Sequence, residues 1–255
     1  MTEWLYGRNA VYETLQAKRR HFFRLKLAQG AEEKGSLLEI IRMASTYRLP
    51  VDRVPRSNLD SLANGHQGVA LEASDYVYCD LADILALAAR RNEQPFILIL
   101  DVVQDPQNLG TLIRTAETVG VHGVLLPFRH AASVTPAVVN ASSGACEHQL
   151  ISQVNLAQAI QRLKDENIWI IGLDAGMDAL PLNKVRLDGP VALVVGGEAG
   201  GMRELVRKSC DVLMRLPMRG KVESLNAAVA GSVALYFAWE ARGFTTNSID
   251  DLINP

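Results

Sequence analysis

The segment Phe96-Ile97-Leu98-Ile99-Leu100-Asp101-Val102-Val103 is apolar almost without interruption. A strand that faces solvent on one side alternates polar and apolar residues, whereas one buried on both faces of a parallel sheet does not. The segment therefore predicts a central parallel strand. Four later runs, Val121 to Leu126, Trp169 to Leu173, Val191 to Val195 and Val212 to Leu216, read the same way. Leu109 to Val119, Leu156 to Asp165, Met202 to Ser209 and Leu225 to Ala241 carry helical patterns. Strands alternating with helices predict an α/β fold, with a mostly parallel sheet covered on both faces.

Upstream of Phe96 the same alternation runs on a smaller scale. Helical patterns over Asn9 to Ala17, Glu32 to Tyr47 and Ser57 to Ala63 interleave with strands over Phe23 to Ala28, Val51 to Val54 and Val69 to Ala73. A Gly65-His66-Gln67-Gly68 turn precedes the last strand, and its residues suit a plain connector as well as a part of an RNA-binding module. Asp80 to Arg91 reads as a helix in a connector that ends at the polar Asn92-Glu93-Gln94-Pro95. The expected organisation is a small α/β domain over residues 1–76, a linker over 77–95, the main domain over 96–242 and a tail over 243–255.

Composition narrows the class. The chain has 255 residues, enough for one large or two modest domains at a prior of roughly 150 residues each. Hydrophobic residues at 48% and charged residues at 21% are ordinary for a soluble protein, and no apolar run approaches the roughly 18 residues of a membrane span. The amino terminus lacks the basic and apolar segments of a signal peptide. Cys79, Cys146 and Cys210 are odd in number and widely spaced, which indicates neither a disulfide framework nor a zinc site and favours a reducing cytoplasm. His21, His66, His122, His130 and His148 show no metal-ligand spacing, so no metal is expected.

A net charge of −2 is not the footprint of an indiscriminate nucleic-acid binder. Residues 1–60 nevertheless hold 11 Lys and Arg against 7 Asp and Glu, clustered at Lys18, Arg19, Arg20, Arg24 and Lys26 and again at Arg48, Arg53 and Arg56. Such a face suits RNA, because phosphate contacts supply affinity without reading sequence. Solvated surface charge is the plainer alternative.

Three polar, glycine- or proline-bearing runs stand between an expected strand and an expected helix: Asn108-Leu109-Gly110 leading to Arg114, Gly196-Gly197-Glu198-Ala199-Gly200-Gly201-Met202, and Leu216-Pro217-Met218 leading to Ser224-Leu225-Asn226. Open α/β sheets bind ligands at the carboxyl ends of their strands, so these turns form three walls of one candidate pocket. In the first, Asp105-Pro106 and Asn108 supply turn and cap chemistry, and Arg114 lies one helical turn beyond Gly110, where the missing side chain leaves room for a second backbone or a ribose. In the second, the glycines let a ligand approach the main chain. In the third, Ser224 can cap the long helix, whereas Asn226 in its first turn has no simple capping explanation.

In this order and spacing, over about residues 95 to 242, the three runs resemble the signature motifs of the SpoU (TrmH-type) RNA ribose methyltransferases. The resemblance implies a SPOUT fold with a trefoil knot at its carboxyl end, an RNA-binding module over residues 1–76 and S-adenosylmethionine as cofactor. The implied reaction is methylation of a ribose 2′-hydroxyl of RNA, with a guanosine of 23S rRNA as the expected target. It further implies that Arg114 is the catalytic arginine, that Asn108 is its RNA-facing neighbour, that Glu198 orients the arginine and that Ser224 and Asn226 line the reaction site. Gly196, Leu216, Met218 and Leu225 are then cofactor contacts. Ala199 stands where the family often has glycine, and Ala227-Ala228 where Val-Ser is commoner.

The rival nucleotide-binding readings lack their marks. Neither a Gly-x-Gly-x-x-Gly nor a Walker lysine motif occurs, since Gly220-Lys221 is followed by Val222. Glu198 would repel a phosphate but suits a cationic ligand such as a sulfonium. Finally, Leu225 to Ala241 is apolar over too much of its circumference for a helix packed on one side, which predicts a homodimer.

Overall fold

The computed structural model, described over residues 2–129, 131–198, 200–222 and 224–244, contains two sheets. The first is built from β1 (Thr2–Tyr6), β2 (Phe22–Ala28), β3 (Val51–Val54) and β4 (Val69–Ser74) in the order β1-β4-β2-β3. β4 runs antiparallel to both of its neighbours, and β2 pairs with β3 in parallel. Helices α1 (Arg8–Ala17), α2 (Ser36–Thr46) and α3 (Arg56–Asp60) complete the unit. β1 has no counterpart in the sequence reading, because it is an edge strand defined by pairing with residues about 70 positions away, from Thr2 opposite Ser74 to Tyr6 opposite Ala70. α2 starts later than its apolar periodicity suggested. Gly35, with φ +58°, takes its N-cap position, a conformation that favours glycine.

The second sheet orders β5 (Phe96–Asp101), β6 (Gly123–Pro127), β7 (Ile151–Val154), β8 (Trp169–Leu173), β9 (Leu180–Pro181), β10 (Val191–Gly196) and β11 (Val212–Arg215) as β7-β6-β5-β10-β8-β11-β9. Every pairing in it is parallel. β5 and β10 are adjacent and buried at all six positions, as an uninterrupted apolar run requires. Phe96, Leu98 and Leu100 pack in one core with α5 (Pro106–Thr118) and α9 (Ala227–Ala241). Ile97 and Ile99 point the other way, into a core with α4 (Leu81–Arg90), α7 (Leu156–Asp165) and α8 (Glu204–Ser209). α6 (Pro136–Ala141), β7 and β9 escaped the sequence reading because each is too short to show a period. The segment expected as a linker carries α4, whose Ile84 is fully buried. A Cβ at Gly123 would fall 2.4 Å from the Ile84 side chain, so that helix lies directly on the second sheet.

The two sheets share a core. Leu5, Val11, Leu15 and Leu25 of the first unit cluster with Val138, Val139 and Cys146 of the second. Arg20, with no exposed side-chain surface, forms a double hydrogen bond to the equally buried Glu147 at 2.6 and 3.0 Å and pairs also with Glu3. Burial works against the Arg20 charge and raises the Glu3 carboxyl, yet the bonds to Glu147 and Glu3 hold the guanidinium above its ordinary value. Arg19 donates to the carbonyls of Val77 and Gln149. Of the basic cluster expected as an RNA face, these two arginines are therefore structural, and Arg24 and Arg53 are paired with Glu72 and Glu33.

Candidate active site

Asp101 ends β5 as a fully buried carboxylate. A buried charge needs compensation, and Arg203 supplies it through its backbone N–H at 2.7 Å, Nε at 2.8 Å and Nη2 at 2.6 Å. This pair fixes the far end of the glycine run that follows β10. Gly197 and Gly201 exchange backbone hydrogen bonds at 3.0 and 3.2 Å, closing the run into a tight loop. A Cβ at Gly196 would lie 2.2 Å from the Gly201 carbonyl carbon, and one at Gly197 would lie 2.2 Å from the Val102 oxygen. At the first two glycines the missing side chains thus admit the protein's own backbone. Gly200 and Gly201 border open space, so room for a ligand lies on their side of the loop. Val102 has φ +61°, a costly conformation for a β-branched residue, and it contacts this loop beside the site. Asp101, Val102 and Arg203 were not among the sequence candidates. Their signal was a lone carboxylate closing an apolar strand.

The three motif turns converge. Asp105 caps α5 by accepting from the Gln107 N–H at 3.2 Å, and Pro106 occupies the first helical position. Asn108, expected to share the capping chemistry, lies in the first turn with its side chain free for other partners. Its Nδ2 donates to Glu198 Oε1, and its Oδ1 accepts from Asn226 Nδ2 at 3.2 Å. Asn226 in turn caps α9, its Oδ1 accepting from the N–H groups of Ala228 at 2.8 Å and Val229 at 3.2 Å. The capping role assigned to Ser224 therefore belongs to Asn226, because the helix begins two residues later than expected; Ser224 is exposed on the approach to it. The result is a hydrogen-bonded chain, Asn226 to Asn108 to Glu198, across the carboxyl ends of β11, β5 and β10.

Arg114 does not join this chain. It is exposed, and its Nη1 donates to the Ser143 hydroxyl at 3.0 Å. Six positions separate it from Asn108, about 240° around a helix of 3.6 residues per turn, so the two side chains leave α5 in different directions. Glu198, expected to orient the arginine, instead holds Asn108. The room beneath Arg114 is filled by protein, since a Cβ at Gly110 would meet the Ala141 Cβ at 2.5 Å and the Ser142 nitrogen at 2.8 Å.

Leu216 is partly buried, whereas Met218 and Leu225 are 44% and 40% exposed. Uncovered apolar side chains at the end of β11, open space beside Gly200 and Gly201, and the Glu198 carboxylate fit a ligand with a flat aromatic ring and a positive charge. S-adenosylmethionine is such a ligand. His130, Ala199, Glu223 and residues 245–255 of the expected tail lie outside the described residues. Among the described residues no helix is long and apolar enough to cross a membrane.

Comparison with known proteins supplies the context. Residues 95–236 match the SpoU rRNA methylase family, and residues 4–79 match a family described as RNA 2′-O ribose methyltransferase substrate binding. YacO of Bacillus subtilis, assigned to the TrmH family of tRNA/rRNA methyltransferases, is 41% identical over 94% of this chain and 96% of its own. A Staphylococcus saprophyticus protein with the same family assignment is 36% identical over 94% and 96%. The SpoU methyltransferase AviRb from Streptomyces viridochromogenes, solved in complex with AdoMet, superposes with a TM-score of 0.79 at 23% identity, covering 96% of this chain and 92% of that one. An AdoMet-bound rRNA methyltransferase from Sinorhizobium meliloti gives 0.75 at 21% identity, with 96% and 88% covered.

Proposed function

Because the chain belongs to the SpoU rRNA methylase family, we propose that it methylates the ribose 2′-hydroxyl of a guanosine in 23S rRNA with S-adenosylmethionine as donor. The observation that carries this reading is the Asn226–Asn108–Glu198 chain, in which three motifs far apart in sequence meet at the carboxyl edge of the sheet. We assign substrate capture to residues 1–76 and transfer to residues 96–242.

S-adenosylmethionine supplies an electrophilic methyl group on a sulfonium. Gly200 and Gly201 would admit it, Leu216, Met218 and Leu225 would cover its adenosine, and Glu198 would oppose its positive charge. The ribose oxygen must be aligned with the methyl and its developing negative charge stabilised. Arg114 is the group that would stabilise this charge, since a guanidinium presents a delocalised positive charge and a planar fork of N–H donors. Asn108, Asn226 and Ser224 would hold the ribose. Since Arg114 and Asn108 diverge on α5, a homodimer suits this assignment. Thr115, next to Arg114, bonds Ser232 at 2.9 Å, and Ser232 lines an apolar cleft with Val233, Tyr236, Phe237 and Phe244. A second copy on that cleft would approach Arg114.

The test is methyl transfer to 23S rRNA and to bulk tRNA, both from cells lacking the protein, followed by mapping of 2′-O-methylation. Methylation of one rRNA guanosine supports the proposal. Methylation of tRNA alone moves the substrate to the second reading, which the tRNA/rRNA naming of the relatives also covers, and cofactor binding without transfer to either would make the chain a non-catalytic RNA binder.

A further inference from the structure

Two groups stand out among the arginines. Arg20, Arg24, Arg42, Arg53, Arg186, Arg203 and Arg207 are neutralised by carboxylates. Arg8, Arg19, Arg114 and Arg242 are oriented by neutral oxygens instead; Arg19 and Arg242 spend both terminal nitrogens on them, whereas Arg8 and Arg114 do not. Arg114 is held by the Ser143 hydroxyl. The Arg8 Nε donates to the Gln67 carbonyl at 3.2 Å, and no carboxylate among the described residues lies within ion-pair distance of its guanidinium.

The mount for Arg8 is built. His66, only 2% exposed, accepts from the Gly68 N–H through Nδ1 at 2.9 Å and bonds Asp60 through Nε2 at 2.9 Å, which locks the turn. Gln67 adopts φ +54°, and its Oε1 accepts from the Arg8 backbone N–H at 2.9 Å. The turn is therefore a socket for the first residue of α1.

That socket faces the methyltransferase unit at the place where Arg114 is anchored. Asn140 donates to the Tyr6 carbonyl at 3.0 Å, and a Cβ at Gly7 would fall 2.5 Å from the Asn140 Nδ2. One turn later the Ser143 N–H donates to the Asn140 carbonyl at 2.9 Å, and Ser143 holds Arg114. Arg8 and Arg114 thus flank a single backbone turn, each fixed in place and each with guanidinium N–H groups uncommitted. Guanidinium forks of this kind suit phosphate oxygens.

We propose that Arg8, set by Gln67 and His66, binds a backbone phosphate of the substrate RNA a few nucleotides from the reacting ribose and so registers the strand against Arg114. The inference rests on the RNA-methylating reading above. Arg8 is a positioning residue: it touches the strand but not the reacting atoms. The shared core and the buried Arg20–Glu147 pair keep the two arginines at a fixed separation.

Wild type, Arg8→Ala and Arg8→Lys should be compared on whichever of 23S rRNA and bulk tRNA the wild type methylates, by equilibrium RNA binding across a salt series, steady-state transfer, cofactor binding and thermal unfolding. Loss of one phosphate contact is expected to reduce the slope of log affinity against log salt by about 0.7 to 0.9 in Arg8→Ala. Its KM for RNA should rise about tenfold, with kcat and cofactor affinity held. Arg8→Lys should keep the wild-type slope with weaker binding, since it retains the charge and loses the Nε anchor. An unchanged slope and KM in Arg8→Ala overturns the proposal. So does a fall in unfolding temperature and cofactor affinity with a wild-type slope, which would make Arg8 a structural strut. If the wild type itself transfers no methyl group to either RNA, it is the functional reading that fails.

Discussion

Asn108 and Asn226, 118 residues apart, share a hydrogen bond in which each is also committed elsewhere: Asn226 to the first turn of α9 and Asn108 to Glu198. The start of one helix is thereby coupled to the site on another. Substitutions at Asn226 can separate these two duties. Asn226→Asp keeps an acceptor for the Ala228 and Val229 N–H groups but removes the donor to Asn108, so stability should stay near wild type while methyl transfer collapses. Asn226→Ala should lose transfer and also about 1 kcal/mol of stability with the cap. Thermal unfolding alongside single-turnover rates checks both. An active Asn226→Asp would show that the asparagine is only a cap.

Arg114→Lys retains charge but loses the planar fork. If Arg114 acts by fixed-geometry stabilisation, the single-turnover rate should fall by two or more decades, in line with about 3 to 4 kcal/mol for a lost transition-state donor, with cofactor affinity unchanged. A neutral-base role instead predicts partial rescue by lysine, whose reference pKa is about 10.4, with a rate that climbs as pH rises. Near-wild-type turnover in Arg114→Ala would remove both roles.

Arg203→Ala leaves the buried Asp101 carboxylate with one backbone N–H as its charge partner. The expected loss is about 3 kcal/mol, accompanied by weaker cofactor binding as the 197–201 loop loosens. Adding Asp101→Asn should recover part of the stability, because the uncompensated charge is gone. Denaturant titration of the single and double variants measures the coupling. Additive losses would mean that the pair does not hold the loop.

The uncovered cleft on α9 predicts that the wild type sediments as a dimer and that Tyr236→Glu combined with Phe237→Glu sediments as a monomer. Tyr236 is 45% and Phe237 38% exposed in the single chain, so the charges cost little there and are burdensome only at an apolar interface. A stable, active wild-type monomer would exclude the dimer.

Burial pushes the Cys146 and Cys210 thiols up to about 12, with neighbouring Glu147 and Asp211 adding to the shift. A thiol whose folded pKa lies above its unfolded value of about 8.5 contributes its full stability below that value and loses it as pH rises toward 12. Native protein at pH 8 should therefore resist iodoacetamide at both positions, while unfolded protein is alkylated. Mass spectrometry of the labelled peptides gives the answer, and rapid native labelling of Cys146 would contradict its burial.

The sequence by itself determined the layered α/β plan, the order of the three motif turns and the buried status of β5 and β10, because each is a local pattern: uninterrupted apolar residues, helical periods, glycine and proline at turns. α7 and β8 match their expected bounds for the same reason. Tertiary structure decided what local pattern cannot carry. β1 exists only through its pairing with β4, and Asn226 rather than Ser224 became the cap because strand-to-helix geometry, not residue preference, set where α9 begins. Arg19 and Arg20 look like solvated charge in sequence and prove to be the seam between two sheets, since only the fold brings Glu147 to Arg20 across 127 positions. The separation of Arg114 from Glu198 is likewise a matter of direction around α5. Identity and order are written in the chain, whereas direction and partnership are fixed only when the helices pack.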